Sequence, residues 1–136
     1  MYEFFEHTAD LGLRIRAGSL NMLFAEAAAA LFATIVEDVA AIEPRERDEI
    51  QIPGSDREYL LFDWLRELLY RFESQHRVFG KFDVLVGPEG LTATVWSEPF
   101  DRGKHSPNHE VKAITYHGLK VEPAPDGWLA EVIVDI

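Results

Sequence analysis

The chain has 136 residues, 47% of them hydrophobic, with nine Phe, four Tyr and three Trp; that is enough for one domain with a real core and excludes a chain disordered by composition. It has no cysteine, which excludes disulfides, thiolate metal sites and thiol nucleophiles and fits a cytoplasmic protein. A net charge of −11 from 24 acidic and 13 basic residues opposes direct nucleic-acid binding, which needs clustered Lys and Arg, and suits cations or a basic protein surface.

The first elements alternate. Tyr2 to Glu6 predicts a short strand, and Leu11, Leu13, Ile15 and Ala17 alternate with Gly12, Arg14 and Arg16 as a half-buried strand. A helix starts at Gly18-Ser19, with Leu20, Leu23, Phe24, Ala27, Leu31, Phe32 and Ile35 on one apolar face. Ala27 to Ala30 add helix propensity and a thin surface for close packing. Glu37 to Asp48 is a charged connection containing Pro44, and it leads to a strand near Glu49 to Ile52 that Pro53-Gly54 breaks. Ser55 and Glu58 form a capping-box pattern for a second helix, striped by Leu61, Trp64, Leu65, Leu68, Leu69 and Phe72.

After Arg77 the period drops to two. Phe79 to Val86 and Leu91 to Ser97 predict a hairpin around Gly87-Pro88-Glu89-Gly90. Glu98 to Glu110 reads as a polar loop. Val111 to Tyr116 pairs with Leu119 to Glu122 around His117-Gly118, and Ala124 to Gly127 turns the chain into a final strand. The expected class is α+β: two helices packed on one face of a mostly antiparallel sheet, in a single domain over residues 1–136. The apolar runs fall far short of a membrane span, and a basic stretch followed by an apolar one is missing from the first residues.

Trp128 to Ile136 stays apolar to its final position, so the terminus is expected to dock in a sheet. The Asp135 side chain and the Ile136 carboxylate then lie close by chain geometry. Two anions so placed repel one another, and a hard divalent cation with oxygen ligands offsets the repulsion. Asp10, between the first two strands, is by default a turn residue bonded to its own backbone. As a neighbour of Asp135 it instead supplies a third oxygen donor, and such a set prefers Ca²⁺, Mg²⁺ or Mn²⁺ over zinc. His7 is a softer ligand or an outer-shell partner. His105 and His109 have zinc-like spacing, but Gly103 and Pro107 argue against a helix there and no third ligand has fixed spacing. That stretch reads as a polar loop contacting a partner. Lys112, Thr115, Tyr116 and His117 lie on or beside one strand, with Lys112 and Tyr116 sharing a face with Ile114; they form a half-exposed strand or a contact patch. Nucleophile-elbow, phosphate-loop and paired-acid motifs are missing, so an enzyme reading is weak.

Together these marks resemble the archease family. The matching pieces are His7-Thr8-Ala9-Asp10 with Leu11-Gly12, the helix from Asp63-Trp64-Leu65 to Leu68-Leu69-Tyr70, His105, the run Glu110 to His117, and Asp135-Ile136. They span essentially the whole chain in order. The resemblance implies an accessory protein of the GTP-dependent tRNA-splicing RNA ligase, one that promotes guanylylation of the ligase and multiple turnover without ligating RNA itself. It implies contact with tRNA only through the ligase. It also implies a divalent cation, Ca²⁺ first with Mg²⁺ or Mn²⁺ as alternatives, at positions Asp10, Asp135 and Ile136. His7, His105, Lys112 and His117 stand as outer-shell or partner-contact positions. The loop Asp101 to Asn108 departs from the pattern. A chaperone or modulator of an RNA-modifying enzyme such as a tRNA methyltransferase is the alternative, and a small metal-dependent hydrolase is a third.

Overall fold

The computed structural model describes residues 1–7 and 10–136, with His7 by its backbone alone. The Thr8-Ala9 half of the opening motif therefore lies outside the described residues. Strand β1 (Tyr2–His7) pairs antiparallel with β2 (Asp10–Ala17), from Tyr2 opposite Ile15 to His7 opposite Asp10. Helix α1 (Leu20–Ile35) begins where expected, with the Ser19 hydroxyl accepting from the Met22 N–H at 3.2 Å. Its buried residues are not one stripe. Ala27, Ala28 and Ala30 are all fully buried beside Leu23, Phe24 and Leu31, because α1 packs on two different sheets and needs small side chains on both sides.

After a 3-10 turn at Val39–Ala41 comes β3 (Glu46–Pro53), which starts earlier than expected. Its first residues are charged and exposed, a protection suited to a sheet edge. Helix α2 (Arg57–Gln75) corrects the capping-box expectation. Its N-cap is Asp56, whose carboxylate accepts from the N–H groups of Glu58 and Tyr59 at 2.9 and 3.2 Å. The Glu58 carboxylate is turned outward and accepts from the Val121 N–H at 3.2 Å. The expected hairpin is present as β4 (Arg77–Gly87) and β5 (Gly90–Pro99).

The polar stretch that follows is not all loop. Asp101 caps a four-residue helix, α3 (Arg102–His105), accepting from the N–H groups of Gly103 and Lys104. The two strands expected to pair with each other do not. β6 (Ala113–Ile114) and β7 (Lys120–Ala124) instead share one edge of β8 (Gly127–Asp135), β6 opposite its last residues and β7 opposite its first. Each satisfies backbone groups on β8 that would otherwise be open.

The class is α+β as expected, but the strands form two antiparallel sheets. One runs β1-β2-β8-β6 with β7 also on β8, and the other runs β3-β5-β4. Helix α1 packs against β2 and β8 of the first and β4 of the second, and α2 packs against β3, β4, β6 and β7. The buried indole of Trp64 ties the helices together, donating from Nε1 to the Phe24 carbonyl at 2.9 Å.

Candidate functional site

Strand alternation sets the site. Leu13, Ile15, Ala130, Val132 and Val134 point into the core and are fully buried. Asp10, Gly12 and Arg14 on β2, and Glu131, Ile133 and Asp135 on β8, therefore point to the outer face. Register aligns them in three rows. Glu3, Arg14, Glu131 and Lys120 stand opposite one another across β1, β2, β8 and β7, with signs alternating. The next row is apolar: Phe5, Gly12 and Ile133. A Cβ on Gly12 would run into the Phe5 ring, so the ring lies flat on this strand because the residue beneath it is glycine. The third row holds Asp10 opposite Asp135, with Ala113 beyond.

Arg14 is engaged elsewhere. It bonds Glu131 and Glu3, and its guanidinium sits 4.6 Å from the Phe5 ring centre. Burial pushes the Glu131 carboxyl up, but the hydrogen bonds and positive charges of Arg14 and Lys120 together outweigh this and hold it below the ordinary value. The apolar row thus separates the ion-pair row from the Asp10–Asp135 pair.

The fold brings together the two carboxylates that sequence reasoning paired. Both are half-buried, on adjacent strands and on one face. The Ile136 side chain packs against the core. As a donor set, two aspartates suit a hard cation. Among the described residues no group of three His, Cys, Asp or Glu side chains converges on a metal-sized site. The pair fits such an ion only with further oxygens, from the Ile136 carboxylate, water or a partner.

Lys112 approaches this row by its backbone, donating its N–H to the Asp135 carbonyl at 2.7 Å. Its side chain instead lines a cleft on the helix side. His117 is exposed, and its N–H donates to the Thr115 hydroxyl at 3.3 Å, which itself donates to the Ile133 carbonyl.

His105 corrects the partner-contact reading, because it is fully buried. Nδ1 accepts the Asp101 N–H at 3.0 Å, so the ring proton is on Nε2, which donates to Glu98 Oε2 at 2.8 Å. Both ring nitrogens are used, and the zinc pairing with His109 is closed to it. The hub is Glu98, which sequence reasoning took as the first residue of a loop. It is 2% exposed and accepts from the Glu43 N–H and Lys104 Nζ, each at 2.9 Å, with Arg45 Nε at 3.3 Å. Burial pushes its carboxyl up, but these donors outweigh burial and hold it at about 2. Ser97 and Glu98 are both buried, which breaks the alternation at the end of β5. A lone glutamate after a strand carries no sequence signal of this kind.

Compared with known proteins, residues 2–136 match the model of the Archease protein family. The chain is 43% identical over 140 residues to the protein archease of Pyrococcus furiosus and 40% identical over 137 residues to that of Sulfurisphaera tokodaii, in each case covering 99% of this chain and 98% of the relative. Among solved structures it is similar to Methanobacterium thermoautotrophicum protein 1598, at 32% identity and a TM-score of 0.78, covering 99% of this chain and 98% of that one. It is also similar to a Thermotoga maritima structure described as an archease and possible chaperone, at 26% identity and a TM-score of 0.67, covering 100% and 98%.

Proposed function

The chain belongs to the archease family, and from that premise we propose that it is a non-catalytic accessory protein that activates a GTP-dependent tRNA-splicing RNA ligase, promoting ligase guanylylation and multiple turnover. The observation that carries the reading is the Asp10–Asp135 pair, aligned across β2 and β8 at one end of the sheet's outer face. Asp10 and Asp135 hold a divalent cation, with the Ile136 carboxylate as a further oxygen, and strand pairing on both sides of β8 fixes the geometry. When bound, such an ion supplies positive charge against the phosphates of GTP at the ligase. The acidic surface, at a net charge of −11, docks on a basic face of the ligase.

The test is guanylylation of the ligase with limiting amounts of wild type, Asp10→Ala and Asp135→Ala. The expected result is stimulation by wild type and loss in both variants. Stimulation by all three at the same rate removes the metal from the reading and leaves the docking surface. A chaperone or modulator of an RNA-modifying enzyme such as a tRNA methyltransferase is a second reading. It draws support from Tyr59 and Tyr116, 57% and 54% exposed, packed edge to face at 5.4 Å. Activity unchanged in chelator, together with protection of several clients from aggregation, favours it.

A further inference from the structure

Of the 13 lysines and arginines, most face a carboxylate or lie over an aromatic ring. Among the described residues, Arg16, Arg66, Arg102 and Lys112 do neither. Two of these four, Arg102 and Lys112, line the same cleft, about 620 Å³ in volume and within the usual size of a small-ligand site. In a chain as acidic as this one, neighbouring cations are taken up by carboxylates. Lys104, two residues from Arg102, is held by Glu43 and Glu98. Two unpaired cations on one cleft therefore call for an anion from outside.

The floor narrows the class. Phe72 and Phe100 meet there edge to face, with centres 5.6 Å apart. One side of Phe100 is taken by the His105 ring, and the Glu98 hub holds that assembly rigid. An aromatic floor beneath a cationic rim suits a flat ring carrying a phosphate. The rim also carries the Asn108 amide and the carboxylates of Glu73 and Glu110. Those carboxylates disfavour a bare dianion, and they accept from a ligand that brings its own N–H and O–H groups. We propose that this cleft binds a nucleoside phosphate, with the phosphate on Arg102 and Lys112 and the base over Phe72 and Phe100. The overall acidity opposes a long phosphate backbone, so the ligand presents a single phosphate, either as a free nucleotide or as the phosphorylated end of an RNA. Because the Lys112 N–H also bonds the Asp135 carbonyl, the cleft and the carboxylate pair share one backbone segment.

The test is titration of the purified chain in chelator with AMP, GMP, inorganic phosphate and a 5′-phosphorylated RNA tetranucleotide. Binding is read by calorimetry and by backbone NMR shifts at 108–112. Wild type is expected to bind a nucleotide more tightly than phosphate. Lys112→Met and Arg102→Met are each expected to weaken it at least tenfold, while Arg66→Met leaves it unchanged. A tetranucleotide bound more than tenfold tighter than either mononucleotide makes the ligand an RNA end, and comparable binding makes it a free nucleotide. No binding by wild type at about 1 mM, the weak end of specific recognition, overturns the proposal. So does binding that Lys112→Met and Arg102→Met leave intact, or phosphate binding as tightly as AMP. Chelator keeps these outcomes independent of the cation.

Discussion

Replacing Glu98 with glutamine removes one charge and almost no volume. The carboxylate meets only donors: the Glu43 N–H, His105 Nε2, Lys104 Nζ and Arg45 Nε. An amide can turn its oxygen to the first two, but its NH₂ then faces the two cations. In the fold the acid sits at about 2, against 4.5 ordinarily. A depressed value means that folding favours the ionised form, so the stabilisation is complete above about pH 4.5 and is lost as pH falls toward 2. Two and a half pH units correspond to about 3 kcal/mol at pH 7. Linkage predicts that under half of this remains at pH 3. The assay is urea unfolding of wild type and Glu98→Gln at several pH values between 7 and 3. The gap between them should be about 3 kcal/mol at pH 7 and should close as the wild-type acid protonates. A gap that stays constant across that range refutes the argument, because the charge would then not be its source. A gap below about 1 kcal/mol at pH 7, the size of an exposed pair, refutes it as well.

Asp56→Ala should cost about 1 kcal/mol by loss of an N-cap, whereas Ser55→Ala should be nearly silent in the same unfolding assay. Gly12→Ala forces the Phe5 ring off the strand and should cost about 1–2 kcal/mol by overpacking, seen as a lower melting temperature. Trp64→Phe loses the bond to the Phe24 carbonyl and leaves a void between the helices, for about 2–3 kcal/mol by the same measurement. Calorimetric titration with Mn²⁺ should find a site in wild type that Asp135→Ala lacks.

Much of the fold was legible because period is a local property. Leu13 and Ile15 alternate, Leu61 to Leu68 recur at helical spacing, and Gly87 to Gly90 mark a hairpin. What failed depended on distant partners. Val111 to Tyr116 and Leu119 to Glu122 look like a hairpin, but β8 competes for both and wins, because it pairs with each of them. Ser55 and Asp56 are both good caps, and the choice between them rests on where the Glu58 carboxylate finds the Val121 N–H, 63 residues away. Asp10 and Asp135 were found from carboxylate chemistry, and register set them side by side. Glu98 was missed because its four donors come from two separate parts of the chain, one of them more than fifty residues away. His105 was singled out as a polar loop residue, while its burial followed from Glu98 and Phe100.

The strand nearest the carboxyl end lies in the middle of its sheet, between β2 on one side and β6 and β7 on the other. During synthesis the β1–β2 hairpin emerges early but has no lasting neighbour on its inner edge until β8 has been made. The five-stranded sheet therefore closes late, across more than a hundred residues of intervening chain. Long-range pairing of this kind places folding in the slow range, about milliseconds to seconds. Until then the edge of β2 is an open template for other chains, and a chain stalled before Ala130 would present that edge to the cell.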